Sequence, residues 1–380
     1  MVMNCPDSRL GLVTSVNSGK KPSKMEASDL LFLNRCCDLA RLGGAAVSPN
    51  PRVGAVLVYQ GRIIGEGFHA QAGGPHAEVQ CVHSVHLEDQ PLIPHSTLYV
   101  SLEPCCFHGR TPACTDLILE NGIRKVVIGQ IDQTAAVSGK GIQILTSAGV
   151  SVRTYTQHQG CQKVALERQI FATQKRPYVQ LKYAQTADGF LAPADQRPYW
   201  ISSAESRILT HRWRTRTGAI LVGANTVLKD DPQLNSRLYP GPDPLRIVVD
   251  PKGLCSGEER IFQSDSSKAP TLWLRPKMKA KTKEQVEIYA LSSNPGQAIW
   301  GKELINIIFQ LCHEKALHHL TVEGGSSMLE LFLNGGYWDE ITRFINPKKV
   351  FAKGLLAPQL DLTPAEVQNI GGDTLEVFYR

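Results

Sequence analysis

The chain has 380 residues, more than one hydrophobic core usually serves, so two domains are expected. A composition of 42% hydrophobic and 20% charged residues is that of a globular protein, and no apolar run approaches the roughly 18 residues of a membrane span. A net charge of +6, carried by scattered rather than massed basic residues, suits anionic small molecules and offers no basic stripe for nucleic acid.

Along the chain, residues 1–25 are polar, Ser/Lys-rich and without periodicity, which predicts a disordered extension; Met25 is a possible functional start. Residues 28–43 carry apolar side chains at helical spacing and stop at Gly43–Gly44. SPNPRVGAVLVYQGRIIGEGFH then reads as a loop, a strand (Val53–Tyr59), a Gln60–Gly61 turn and a second strand (Arg62–Gly67). HAEVQCVHSVHL is predicted as helix, STLYVSLEP as a strand ended by proline, TDLILENG as a short helix and RKVVIGQ as a strand. QILTSAG and VSVRTY add a helix and a strand. This rhythm implies a layered α/β domain.

A helical stretch, CQKVALERQIFATQ, leads to a boundary placed near residue 175, giving an N-terminal domain over 26–174 and a second over 175–380. The second half repeats the rhythm. PYVQLKYAQTADG is β-rich, RILTHRWRTRTG a helix, and AILVGANTVL a buried strand entering a loop. PLRIVVD and APTLWLRP are strands, ELINIIFQLCHEKA a helix, LHHLTVEGG a strand into a glycine turn, and SSMLELFLNGG a helix.

Ten cysteines in 380 residues are too sparse for a secreted disulfide scaffold. They predict a reducing cytoplasm, where close cysteines serve metals or catalysis. Two stretches carry that chemistry: GGPHAEVQC, with His76 and Glu78, and SLEPCCFHGRTPAC, with Cys105, Cys106 and Cys114. Catalytic zinc takes three protein ligands and leaves a fourth position for water. His76, Cys105 and Cys114 supply such a set, and Glu78 remains to shuttle protons. H-x-E followed by P-C and a later Cys is the signature of zinc nucleobase deaminases. Cys106 competes with Cys105, but adjacent residues do not both reach one ion, and Cys105 follows the proline. His108 reads as a pocket residue rather than a ligand, and Cys36, Cys37 and Cys81 as packing.

The eight residues between Cys105 and Cys114, with the H-G-R-T-P insert, narrow the resemblance. SPNPRVGAVLV, GGPHAEVQC, SLEPCCFHGRTPACTDLI and GKGIQIL, in that order, resemble the deaminase half of the bifunctional riboflavin-biosynthesis deaminase–reductases. YVQLKYAQTADG, YWISS, AILVGANTVLKDDPQLNSR and VEGGSSMLELFL resemble the reductase half. The resemblance implies a cytidine-deaminase-like α/β/α sandwich followed by a dihydrofolate-reductase-like α/β domain. It implies zinc-dependent deamination of a phosphorylated diaminopyrimidine, then NADPH-dependent reduction of its ribosyl group. It also places Asn50, Lys182, Ser202, Arg214, Leu234, Arg237 and Glu323 on substrate, and Ala184, Trp200, Thr226, Asp230 and Gly325 on the cofactor. A homo-oligomer, dimer or tetramer, is expected, with no nucleic-acid or membrane partner. The competing reading is a zinc deaminase of another nucleobase or of nucleic acid, with an inactive second half.

The glycine turn in VEGGSS supports a phosphate site only weakly by itself. Without the resemblance, the lysine and arginines would read as surface charge. Three positions depart from the pattern: Asp132-Gln133-Thr134-Ala135 stands where D-P-N-P is common, Thr186-Ala187-Asp188-Gly189 replaces S-L-D-G, and Gly218 stands where Asp often precedes the A-I-L-V-G strand.

Overall fold

The structure, a computed structural model, describes residues 26–109, 112–134, 137–263, 270–277, 285–291 and 299–380. The expected N-terminal extension, Arg110 and Thr111 of the insert, and Ala135 lie outside the described residues.

The first unit is a three-layer sandwich. Its strands are β1 (Gly54–Tyr59), β2 (Arg62–Phe68), β3 (Thr97–Val100), β4 (Lys125–Ile128) and β5 (Ser151–Thr154), in the order β2-β1-β3-β4-β5. β1 runs antiparallel to β2 and β3, whereas β3, β4 and β5 are parallel. Its helices are α1 (Ala27–Ala40), α2 (Ala77–His83), α3 (Cys114–Glu120), α4 (Lys140–Ser147) and α5 (Gln159–Gln174). The period-2 pattern of β1 divides the core. Val56 and Val58 face Phe32, Leu33, Cys37 and Cys161 of α1 and α5. Ala55 and Leu57 face Ala77, Cys81, Ile118 and Leu145 of α2, α3 and α4.

The sequence-based elements are present with shifted ends. α2 stops at His83 instead of running through HSVHL, and residues Leu87–His95, which contain Pro91 and Pro94, form a 3₁₀ segment. Proline lacks the N–H that an α-helix interior needs. β3 ends at Val100 rather than at Pro104. Beyond it, Glu103 N–H bonds the Gln130 carbonyl at 2.8 Å outside the ladder.

The second unit contains β6 (Tyr178–Thr186), β7 (Phe190–Pro193), α6 (Ala204–Arg214), β8 (Ala219–Gly223), α7 (Ala224–Asp230), β9 (Leu245–Val249), β10 (Thr271–Arg275) and β11 (Val286–Ala290). These are followed by α8 (Lys302–Glu314), β12 (His319–Gly324), α9 (Ser326–Asn334), β13 (Glu340–Asn346), β14 (Gly354–Leu356), β15 (Glu366–Ile370) and β16 (Asp373–Tyr379). Nine strands form one sheet in the order β11-β10-β9-β8-β12-β6-β13-β16-β15. The run from β11 to β13 is parallel, and β16 and β15 close the edge antiparallel. Such a sheet is buried on both faces. Leu221, Ile247 and Leu272 pack with α8 and α9, while Ile220, Val248 and Trp273 pack on the other side.

One expectation is corrected here. ANTVLKD is not a loop but the helix α7, capped by Gly223. With seven residues and β-branched Thr226 and Val227 inside, it is too short to show a helical period, and burial of Val227 and Ala224 holds it.

The two units meet through polar contacts. Ala45 N–H bonds the Thr215 carbonyl at 3.3 Å, and Ser48 Oγ donates to the Ala316 carbonyl. Arg52 reaches Glu167 on α5 at 3.1 Å and the Arg216 carbonyl at 2.6 Å, and His319 Nδ1 lies 3.0 Å from the same Glu167 carboxylate.

Candidate functional site

In the first unit, the candidate metal ligands come from two helix starts and a loop. His76 is the N-cap of α2 and Cys114 the first residue of α3; Cys105 lies in the loop after β3. The loop is pinned because the Cys105 carbonyl accepts the Thr115 N–H at 3.1 Å. α2 is set by close approach to β2. A Cβ at Gly67 would lie 2.3 Å from the Cys81 backbone nitrogen, and one at Gly65 would lie 2.4 Å from the Cys81 carbonyl oxygen. Any side chain at either position would drive α2, and Glu78 with it, off the sheet.

His76 Nδ1 lies 3.3 Å from Cys114 Sγ and 3.4 Å from Cys105 Sγ, and the three ligand atoms lie within 4.8 Å of one another. Zinc bonds of about 2.3 Å to sulfur and about 2.05 Å to nitrogen, at tetrahedral angles, set N···S separations near 3.5 Å. The donor set therefore fits zinc in size and type. It also fits in charge. Without a cation the two thiols share a proton: Cys114 holds Cys105 down to about 4, helped by His76, while Cys105 and burial hold Cys114 up. A divalent cation resolves that conflict by accepting both as thiolates.

Glu78, 3% exposed, is the second residue of α2 and contacts Cys114. Burial first, then the Cys105 charge, raises its pKa, so its carboxylate readily takes and holds a proton. Cys106 stands outside the ligand group. His108 is exposed and pairs with Asp116 at 3.4 Å, away from the ligand role.

Asn50 lies one ring away from the ligands. Its Nδ2 is 3.0 Å from His69 Nε2, and His69 Nδ1 is 2.9 Å from the Pro75 carbonyl. That carbonyl can only accept, so Nδ1 carries the proton, Nε2 accepts from Asn50, and the Asn50 carbonyl is free to face a ligand. The His69 ring meets His76 edge-on at 5.2 Å. The sequence reading did not single out His69; its place at the end of the G-E-G-F strand was the available signal. Glu103 was missed too. Its carboxylate accepts the N–H of Gly139 at 3.0 Å and of Ile142 at 3.3 Å, fastening the segment that follows the altered 132–135 loop. In that loop Asp132 makes its own turn, accepting Thr134 N–H at 2.8 Å.

Among the described residues one more group gathers metal-type donors: Cys37, His158 and Cys161. His158 caps α5, its Nδ1 accepting the Cys161 N–H at 3.1 Å. Burial keeps this imidazole neutral, so its proton sits on Nε2 and no lone pair remains for a metal.

In the second unit a cleft of about 710 Å³ opens at the carboxyl ends of the parallel strands, where ligands enter open α/β sheets. Lys182, Ala184, Thr226, Asp230, Glu323 and Gly325 line it. Gly325, at φ 74°, caps α9 and turns that helix's N-terminal N–H groups toward the cleft.

Glu323 is gripped by Arg214 through two bonds, 3.0 Å from Nε and 2.7 Å from Nη2. Arg214 also donates to the Asn235 carbonyl at 2.9 Å, and Arg237 to the Asn235 side chain at 2.8 Å. Burial lowers the Lys182 pKa against the pull of Glu323. Burial also pushes His211 down to about 4, reinforced by Arg214 and Arg237. One carboxylate thus faces several cations, a field suited to a phosphate dianion.

Other expected residues are not at the cleft wall: Arg214 and Arg237 stand behind Glu323 and Asn235 and do not line it. Trp200 is 61% exposed, with the Arg207 guanidinium 4.8 Å from its ring, and neither it nor Ser202 lines the cleft. Leu234, at φ 52°, buries its side chain in the apolar cluster with Val227, leaving only its backbone to meet a ligand.

Comparison with known proteins follows the same division. The family model described as the cytidine and deoxycytidylate deaminase zinc-binding region matches residues 26–130, and that of the RibD C-terminal domain matches residues 177–375. Riboflavin biosynthesis protein RibD of Aquifex aeolicus is 37% identical over 93% of this chain and 98% of its own length. The Escherichia coli protein of that name is 31% identical over 91% and 97%. The crystal structure of a diaminohydroxyphosphoribosylaminopyrimidine deaminase/5-amino-6-(5-phosphoribosylamino)uracil reductase from Thermotoga maritima superposes with a TM-score of 0.82, at 35% identity, over 93% of this chain and 98% of that one. Matched along nearly its whole length, with a deaminase zinc-binding region ahead of a reductase domain, the chain belongs to the RibD family of riboflavin biosynthesis proteins.

Proposed function

We propose that this bifunctional enzyme first deaminates 2,5-diamino-6-(ribosylamino)-4(3H)-pyrimidinone 5′-phosphate and then reduces the ribosyl group of the product to ribityl with NADPH. The observation that carries the reading is the His76–Cys105–Cys114 triad with buried Glu78 beside it, on the same chain as the Lys182–Glu323–Arg214 cluster at a phosphate-suited cleft.

In the first step His76, Cys105 and Cys114 would hold zinc, which when bound would supply a hydroxide nucleophile at neutral pH. Glu78 takes a proton from the attacking water and delivers it to the ring nitrogen. It then transfers the second proton to the exocyclic amine, which leaves as ammonia while the carbonyl forms. Proton transfer of this kind contributes roughly 10²–10⁴-fold. Asn50, oriented by His69, accepts a hydrogen bond from the substrate.

In the second step NADPH, when bound, would supply the hydride that the anomeric carbon takes up. The ring C–O bond opens and a proton completes the hydroxyl. The protein binds and orients both partners rather than supplying a nucleophile. Lys182 and Glu323 hold the sugar and base, Arg214 keeps Glu323 ionised, and Arg237 takes the phosphate. The Leu234 backbone completes the substrate side, and Ala184, Thr226, Asp230 and Gly325 the cofactor side. The domain limits 26–174 and 175–380, and a cytoplasmic homo-oligomer, are parts of the same proposal.

A reading as a deaminase of another base would leave the Lys182–Glu323–Arg214 cluster without a role. The experiment that separates the two incubates the protein with the diaminopyrimidine ribosyl phosphate and NADPH, and then with cytidine and single-stranded DNA. Turnover of the first alone supports the proposal; turnover of either of the others in its place refutes it.

A further inference from the structure

The cleft of the second unit extends beyond the residues assigned to substrate and hydride transfer. Lys182 and Ala184 lie on β6, Gly325 follows β12, Thr226 follows β8, and the turn Asp250–Leu254 follows β9. In the sheet these strands run β9-β8-β12-β6. Three strand steps of about 4.8 Å put the two ends about 14 Å apart. With reduction at the β6 end and a pyrophosphate at the α9 N-terminus, the β9 end is left for the adenosine half of a dinucleotide.

Three features describe that end. An acid at the end of a nucleotide-binding strand commonly bonds the ribose 2′-hydroxyl and rejects a 2′-phosphate. Asp250 occupies such a place but is fully buried. It accepts the Leu254 N–H at 2.7 Å, the Cys255 N–H at 3.1 Å and the Trp273 indole N–H at 3.2 Å. Its charge is spent on the turn. The next long polar side chain is Lys252, which is exposed and lines the cleft. Trp300, 46% exposed, lines the same cleft and offers a flat apolar face of the kind on which a purine stacks.

We propose that Lys252 binds the 2′-phosphate at the adenosine end of the cofactor and thereby selects the phosphorylated dinucleotide, with Trp300 as the platform for the base. This rests on the reductase reading above. Asp250 is a positioning residue: it builds the turn that presents Lys252.

The test uses the full chain and two half-cofactors, 2′,5′-ADP and ADP, titrated calorimetrically. Fluorescence of Trp213, Trp273 and Trp338, in the same unit, reports that each variant is folded. The wild-type protein is expected to bind 2′,5′-ADP at least tenfold more tightly than ADP, as one charge-assisted phosphate contact allows. Lys252→Ala should bring the two within about twofold, and Lys252→Glu should reverse the preference. Lys229→Ala, at another lysine of the cleft wall, should leave it intact. Trp300→Ala should weaken both ligands by a similar factor, and Trp300→Phe should restore most of the loss. An unchanged ratio in Lys252→Ala, or the same loss from Lys229→Ala, overturns the selectivity assignment. Unchanged binding in Trp300→Ala overturns the platform. If the wild-type protein binds neither half-cofactor, the reductase reading falls, and this proposal with it.

Discussion

Glu167 tests how the two units are held together. Its side chain, 20% exposed, lies between Arg52 of the first unit and His319 of the second. Burial alone would raise its pKa; Arg52 and then His319 outweigh burial and hold the carboxyl down to about 2, from an ordinary 4.5. At about 1.36 kcal/mol per pH unit, the ionised carboxylate contributes about 3 kcal/mol. Because the folded-state value is the lower one, that contribution is complete above about pH 4.5 and is lost as pH falls through about 2. By the same linkage roughly 1.4 kcal/mol remains at pH 3.

Glu167→Gln keeps the volume and removes the charge. The assay is urea unfolding of wild type and variant between pH 3 and pH 8, followed by tryptophan fluorescence; all five tryptophans, at 200, 213, 273, 300 and 338, lie in the second half. The variant should be less stable by about 3 kcal/mol at pH 7, and the difference should be flat above pH 4.5 and shrink toward pH 3. Equal stability at pH 7, or a difference that does not change with pH, would refute the argument that an ionised Glu167 ties the domains.

Three further outcomes follow from the sites. Glu78→Gln should keep one zinc per chain by metal analysis while deamination falls by about 10²–10⁴; full activity would remove Glu78 as the proton carrier. Cys105→Ser should lose zinc on mild chelation and Cys106→Ser should not, since only Cys105 joins the ligand group; equal loss would show that the ligand was misassigned. Lys182→Ala should slow NADPH oxidation at least tenfold and leave ammonia release unchanged, because its cleft lies in the other unit. Loss of both activities would mean that the domains fail together.

What could be read from the chain depended on how local its cause was. The H-x-E and P-C pairs are local, and their chemistry needs those residue types, so the triad and Glu78 could be named before any geometry. The proline beside Cys105 favours it over Cys106, and Cys105 is the one that gathers with His76 and Cys114. Helices such as α8, with Leu304, Ile305, Ile308 and Leu311 at helical spacing, carry their period in the open. The helix α7 does not, because tertiary burial of Val227 makes it, and the sequence reading took it for a loop. The closing strands β13 and β16 were passed over, although Leu375 and Val377 alternate in β16. The Glu323–Arg214 bond joins residues 109 positions apart, and the Arg52–Glu167–His319 hub spans both domains. Neither can be seen without the fold. Resemblance named Arg214 and Glu323 as separate substrate contacts, whereas the structure makes them one unit.

The most direct measurement of the central claim follows ammonia release and NADPH oxidation together, on zinc-quantified protein given the diaminopyrimidine ribosyl phosphate. The account predicts one zinc per chain, ammonia first, and NADPH consumed only after ammonia has formed, in equal final amounts. Ammonia without NADPH loss would contradict the reductase assignment. Neither product, with zinc in place, would contradict the substrate itself and turn attention to the 132–135 loop.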